Sequence, residues 1–363
     1  MKRFRIPLIV TLISAYAFYL RLVHLAGHDL WVDELYQISQ MNGTFFQMVQ
    51  GLTRSEYCAY LSADYYLTYP FYKIFSMNKW GLAIPHMGAT LLGFYLLYLI
   101  CRRYLKSVLG YVVTFSIVCF NATLIWHATE IRTYAVLPTV ALASLYLWLR
   151  IIDANGYLSM GKKVVAGVVF VFILWFHVYG IVMFFFTGLY ALLTRVKDKS
   201  FFIILKNVAP FVLVVLCLAA PLWLLSTFGP HLANPTSNND TFQFIPSPSR
   251  DMIGFLKGVF GNLIGDKRLY FLLLGGVAPF VIPYRQRFHQ IIFLIVLVVV
   301  PVGTILSGNI LTHYWFLQRG FIWVMPIFAL FIGWSLESFV LYVKDKCQSS
   351  GQRIARNSDL RIE

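Results

Sequence analysis

Charge is what this sequence has least of. Asp, Glu, Lys and Arg make up 12% of its 363 residues, about half the share of an ordinary soluble domain. That deficit excludes a solvated globular module and, with 59% hydrophobic residues, indicates an integral membrane protein. Cysteine is also scarce. Cys58, Cys101, Cys119, Cys217 and Cys347 form no Cys-x-x-Cys pair. In the topology below only Cys58 lies outside, so no disulfide and no zinc knuckle is expected. There is no GxGxxG and no GxxxxGK[ST], hence no nucleotide cradle of either kind, and no HExxH. The histidines and acids show no spacing specific to a metal. Repeats and coiled-coil heptads are absent too.

What remains is apolar runs separated by short basic clusters. The net charge of +15 does not point to nucleic acid. Basic residues sit between apolar runs, and no soluble segment interleaves them with aromatics. The chain opens MKRFR and stays apolar to Leu20, continuing to Ala26 with Arg21 as the one formal charge interposed. A signal peptide starts this way, and Ala15-Tyr16-Ala17 resembles a cleavage site; the segment is read as an uncleaved first span.

A hydrocarbon core of about 30 Å needs roughly 20 helical residues. That window gives an all-α polytopic protein of about ten spans, at 6–26, 80–101, 107–126, 133–150, 163–177, 179–195, 207–226, 268–284, 288–307 and 321–343. With the N-terminus inside, 20 of the 30 Lys and Arg fall on the inner side. The positive-inside rule therefore places both termini in the cytoplasm. Residues 1–343 are one transmembrane domain, and 344–363 a short, basic, disordered cytoplasmic tail.

The titratable groups gather on the other side. Nine of the 15 acids fall outside, as do six of the eight histidines. Two outer segments are long, 27–79 and 227–267. In the first, "TFFQMVQGL" and "YPFYKIFSM" are expected to lie along the interface as amphipathic helices. In the second, a Pro/Asn/Ser loop precedes "DMIGFLKGVFGNLIG", a further interfacial candidate. Three Asn-x-Thr sequons, at Asn42, Asn121 and Asn239, are read as accidental, and Asn121 is inside an apolar run.

The chemistry is sought at the outer face. "GHDLWVDELYQ" places Asp33 and Glu34 directly after the first span. Neighbours on a helix point about 100° apart, so the two carboxylates are expected to divide their tasks. Either they are two solvated groups at a loop start, or one is a base while the other holds an Arg, a metal or a lid. Arg21 lies in the last turns of the first span, where a charge at mid-bilayer costs roughly 2.5–3.5 kcal/mol. It either snorkels outward or pairs with an acid, Asp33 or Glu34 being nearest in sequence. "WHATEIRTYAVLP" sets Glu130, Arg132 and Tyr134 at alternate positions, on one side of an extended turn, or Glu130 and Tyr134 on one helix face. Arg132 there offers a fork of donors to a phosphate. "WFHVYG" puts His177 and Tyr179 in a tight outer turn. "HYWFLQRGFIWVMP" puts Arg319 at the mouth of the last span, as a snorkelling arginine or a second cation for an anionic lipid head.

Taken in order, these motifs resemble the GT-C membrane glycosyltransferases. More narrowly they are similar to the dolichyl-phosphate-mannose–protein mannosyltransferase family and its bacterial relatives, which include the aminoarabinose transferase of lipid A. The resemblance covers most of residues 1–340. It implies inverting transfer of a sugar from a polyprenyl-phosphate carrier to a lipid, glycan or protein acceptor on the outer, periplasmic or lumenal, face. Asp33 matches the family's catalytic acid and Glu34 its neighbour. Glu130, Arg132 and Tyr134 match its Glu-x-Arg-x-Tyr region, and His177 and Tyr179 its aromatic-histidine turn. Arg21, with these five and Arg319, is expected to bind substrate. The expected setting is a bacterial inner membrane; a divalent cation near Glu34 remains open as a cofactor, and no nucleic-acid partner is expected. The chain departs from the pattern where the family carries a His-Pro-Pro stretch (here "SADYYLTYPFY"), where it has an Arg opening the second span (here "WGLAIPHMGAT"), and at Arg319-Gly320 in place of Arg-Tyr. The rival functions are a lipid-linked-sugar flippase or transporter, and a membrane acyltransferase or polysaccharide polymerase. A transporter places its charges near the midplane, whereas here they crowd one face.

Overall fold

The computed structural model describes residues 2–54, 62–177, 179–195, 201–233, 284–312 and 318–359, with side chains over slightly narrower ranges. Every regular element among them is helical. The expected span at 268–284, the interfacial candidate at 251–265, Cys58, Asn239 and His313 lie outside the described residues.

α1 (Lys2–Gly27) is followed by three shorter helices, α2 (Val32–Gln40), α3 (Phe45–Arg54) and α4 (Ala63–Phe75). α5 (Lys79–Tyr104) begins where the Asn78 side chain accepts from the backbone N–H of Trp80 and Gly81, at 3.0 and 3.3 Å. That bond satisfies donors a helix start leaves open. α6 (Val108–Phe120), α7 (Ala122–Ala128), α8 (Leu137–Asp153), α9 (Met160–Phe176), α10 (Tyr179–Leu193) and α11 (Phe201–Ala233) follow. A π-helical stretch, Ile295–Val299, joins α12 (Tyr284–Leu294) to α13 (Val300–Thr312), and α14 (Val324–Asp359) closes the chain.

Five helices among the described residues are long and apolar enough to cross a membrane, six if α6 and α7 count as one bent span. α8 and α9, at 17 residues each, and α10, at 15, reach about 25 Å or less at 1.5 Å per residue. α8 is the interior one, lying between α5 and α10, and α9 packs on α10 and α11 with Val164, Val165 and Val168 exposed on its other face. The outward faces of α1, such as Leu8 and Leu12, are exposed, as suits a helix in lipid.

Four expectations change. The span at 107–126 breaks by 56° between Phe120 and Ala122. Asn121 causes it: its side chain is buried and accepts from Leu124 N at 2.9 Å, starting a new helix. The expected fourth span starts at Leu137, because Thr133–Ala135 form a 3-10 turn. Finally, the last helix does not end near 343. It runs to Asp359, so the expected disordered tail is helical over 344–359. α11 likewise continues to Ala233, past its expected end at 226.

α6 and α14 approach closely through glycine. A Cβ on Gly333 would sit 2.7 Å from Gly110 O, the small-residue contact that membrane helices use in place of a hydrophobic drive. The main core runs through this pair and through α5, α8, α9 and α10, with Phe115, Phe170, Phe184 and Trp323 fully buried. A second, smaller core joins α2, α3 and α4 to the start of α5. It consists of Ile38, Met41, Met48, Leu52, Tyr65, Tyr69, Leu82 and Ile131. This small core packs α2, α3 and α4 against the start of α5 and Ile131.

Candidate active site

The site forms where α2 meets the segment between α7 and α8. Asp33 and Glu34 occupy the first turn of α2, the end at which a helix favours negative charge. They part at once, as adjacent helical positions must. Glu34 points inward and is fully buried. Its Oε2 accepts from Trp31 N at 3.0 Å and its Oε1 from Ile131 N at 2.7 Å. One carboxylate therefore caps its own helix and pins a strand of backbone 97 residues away. Burial pushes its pKa up from the ordinary carboxylate value, and the two N–H donors oppose that shift.

Asp33 points the other way. Its side chain is 33% exposed, and Arg132 Nη2 lies 3.7 Å from its Oδ2. Arg132 Nη1 also donates to the Asp33 carbonyl at 3.0 Å. Glu34 and Arg132 thus clamp α2 and residues 131–132 together from both sides, leaving the Asp33 carboxylate at the rim.

The other residues of the Glu-x-Arg-x-Tyr stretch do not share a face. Glu130 is buried and accepts from Trp126 Nε1 at 3.1 Å and pairs with His127 Nδ1 at 2.8 Å. Arg132 goes to Asp33. Tyr134, in the 3-10 turn, stands with its ring 6.1 Å from His127 and 6.1 Å from His177. His177 ends α9 in an extended conformation. Its Nδ1 accepts from Tyr179 N at 3.2 Å, and the two rings lie 4.4 Å apart. A line of rings, His127, Tyr134, His177 and Tyr179, therefore runs from α7 to α10. Gly320 completes it: a Cβ there would be 2.6 Å from the Tyr179 ring, so the residue after Arg319 has no room for a side chain. Arg319 itself lies in the 3-10 helix Gln318–Phe321; its side chain is outside the described residues.

Arg21 neither snorkels nor meets an acid. It is 2% exposed, and Nη1 donates to the carbonyls of Ala17 at 2.9 Å and Cys119 at 3.1 Å. The break after α6 leaves carbonyls such as that of Cys119 without helical partners, which gives a buried guanidinium something to bond. Glu34 therefore does not orient Arg21. Nor does Glu34 belong to a metal cluster: among the described residues no three His, Cys, Asp or Glu side chains are grouped to hold an ion.

Two further clusters were not among the expected site residues. His24 Nδ1 and His28 Nε2 both reach Thr129 Oγ1, at 2.8 and 3.2 Å, beside the exposed Trp126 ring. They tie the end of α1 to the turn that carries Glu130. More deeply, Asp64 on α4 accepts from Gln37 Nε2 of α2 at 2.5 Å and lies 3.0 Å from His86 Nε2 of α5. Asp64 and His86 are fully buried. His86 Nδ1 faces Leu82 O at 3.2 Å, so both ring nitrogens have a partner. The two segments that depart from the family pattern, "SADYYLTYPFY" and "WGLAIPHMGAT", thus supply the two halves of one buried pair. Gln37 is one helical turn beyond Asp33, so the pair also sets how α2 lies.

No protein-family model matches the sequence, and no curated protein matches it. A solved structure does: ArnT from Cupriavidus metallidurans in the apo state, with a TM-score of 0.55 and 16% sequence identity, over 90% of this chain and 59% of that one. The fold is similar to that of ArnT. At that identity the likeness speaks for the fold alone, which is that of a multi-pass membrane protein and the one the motif order resembles. The chain spans about 59% of the length of the ArnT chain it matches.

Proposed function

We propose that this chain is an inverting glycosyltransferase that moves a sugar from a polyprenyl-phosphate carrier to an acceptor on the outer, periplasmic or lumenal, face. The observation that carries the reading is the division of labour in the Asp-Glu pair. Glu34 is spent on two backbone N–H groups, and Asp33 is left one-third exposed at the rim of α2 beside Arg132. A carboxylate so placed meets water on one side and the bundle on the other.

Asp33 is the general base. It takes the proton of the acceptor hydroxyl as that oxygen forms its bond to the anomeric carbon. The carbon–oxygen bond to the carrier phosphate breaks on the opposite face, which inverts the centre. The phosphate leaves as an anion that needs a cation, and Arg132 and Arg319 are the candidates expected from the sequence. Tyr134 and His177 offer ring and polar edges to the sugar, with buried Tyr179 backing His177 and Glu130 holding His127 in place. The acceptor is a lipid, a glycan or a protein. The membrane is a bacterial inner membrane, with both termini cytoplasmic.

The test uses purified protein in detergent and a panel of radiolabelled polyprenyl-phosphate sugars. Wild type transfers or slowly hydrolyses one of them, and Asp33→Asn loses about 10²–10⁴-fold of that rate, the usual worth of general base catalysis. Donor binding without turnover by either protein would replace this reading with a flippase or carrier-binding role.

A further inference from the structure

A cavity opens between α1, α5, α6, α7, α8 and the start of α14. Arg21, Thr90, Phe94, His127, Tyr134 and Thr139 contribute to its lining, the rest being mostly apolar. It holds about 30 Å³ of space open to the centres of water molecules. One water needs roughly 10–15 Å³ by that measure, so two or three waters, or one tetrahedral anion, fit.

Arg21 is the unusual member of the lining. It sits six residues before the end of α1, about 9 Å along the helix axis, within an apolar span. Its Nη1 is bonded to two carbonyls, and the guanidinium carbon lies 5.1 Å from the Phe94 ring centre. Its Nε is buried and has no acceptor. No carboxylate among the described residues lies within ion-pair distance of it. A guanidinium keeps its charge. Carbonyls and a ring face solvate that charge but do not neutralise it, and such a charge inside a membrane is costly and is placed for a purpose. Arg132, by contrast, already faces a carboxylate, that of Asp33.

We infer that Arg21 and this cavity form an anion subsite that takes the phosphate of a lipid-linked substrate or product, reached from the membrane side. Arg21 supplies the charge. Thr90 and Thr139 donate their hydroxyl hydrogens to the carbonyls of His86 and Ala89, at 3.2 and 2.7 Å, so His127 and Tyr134 are the polar edges left beside it, and the apolar remainder suits the first carbons of a lipid chain. This deepens the glycosyl-transfer reading and rests on it for the identity of the lipid. The chemistry recognised is a phosphate ester, whether on a polyprenyl carrier or on an ordinary phospholipid head.

Binding to purified full-length protein tests it. The probes are a short-chain polyprenyl phosphate, the polyprenol of the same length, phosphatidic acid and inorganic phosphate. Wild type prefers polyprenyl phosphate to polyprenol by at least about tenfold, the worth of one hydrogen-bonded charged contact. Arg21→Gln loses that preference while still binding polyprenol. Equal binding of phosphatidic acid would assign the site to phosphate lipids in general, and competition by inorganic phosphate alone to the free ion; each keeps the anion subsite. A preference missing in wild type, or intact in Arg21→Gln, overturns it. If Arg21→Gln does not fold, Arg21→Lys carries the test: it lacks Nε and the planar fork, so its preference falls at least about threefold, and an unchanged preference overturns the subsite. Sugar transfer by wild type, measured separately, distinguishes the failures. Transfer with an Arg21-independent preference defeats the subsite only; an Arg21-dependent preference without transfer defeats the enzyme reading only.

Discussion

Replacing Glu34 by Gln removes one of two buried acceptors and nothing else in shape. The carboxylate accepts from Trp31 N and Ile131 N, one per oxygen. The amide keeps one oxygen and turns an NH₂ toward the other backbone N–H, so donor faces donor. Losing a bond to a charged group costs about 1.5–3 kcal/mol. Part of this is returned, because the variant no longer buries a charge, and burial is what raises the Glu34 pKa. Because the native pKa is raised, burial outweighs the two bonds, so Glu34→Gln loses about 1 kcal/mol or less, and Glu34→Ala, which strands both N–H groups, loses more. Thermal unfolding in detergent reads both. The pH dependence has a definite sign. A carboxyl whose native pKa lies above its unfolded value holds its proton more tightly when folded. Its contribution is complete below the unfolded value and declines as pH rises through the native one. The deficit of Glu34→Gln against wild type therefore shrinks as pH rises through that window. Unchanged stability in both variants, or a deficit that grows with pH, would refute the clamp.

Three further outcomes follow from the same geometry. Glu34→Gln keeps transfer within about tenfold of wild type, because its clamp function leaves Asp33 at the rim; a loss as large as the 10²–10⁴-fold expected of a base would move catalysis to Glu34. Asp64→Ala leaves His86 and Gln37 buried without their partner, and unfolding in detergent shows a loss of about 3–5 kcal/mol. Asn121→Ala removes the start of α7 at the cost of about 1 kcal/mol, read in the same assay, with α6 and α7 otherwise intact.

The motifs were legible because they lie in short runs of chain. Asp33-Glu34 directly after an apolar run, Glu-x-Arg-x-Tyr and His-x-Tyr each mark a place, and the structure brings all three stretches into one neighbourhood. Their division of labour was not legible. Which of Asp33 and Glu34 turns inward depends on where Ile131 N lies, 97 residues on. Arg21 was expected either to snorkel outward or to reach one of the acids that follow it in sequence; instead the break at Asn121 left carbonyls closer to hand. That break was itself hidden, since an Asn inside an apolar run reads as an accidental sequon and not as a helix start. Asp64 and His86 stood out only as departures from a pattern. Their pairing needs α4 folded back on α5, and no local period announces it. The apolar interior, by contrast, was readable as runs: α9 and α10 fall within a few residues of their expected places.

The most direct test is a single-turnover transfer with donor already bound, comparing wild type with Asp33→Asn. Proton removal by Asp33 predicts a transfer rate at least about 10²-fold slower, with donor affinity within about threefold of wild type. An unchanged single-turnover rate, with any loss confined to donor binding, would contradict Asp33 as the base.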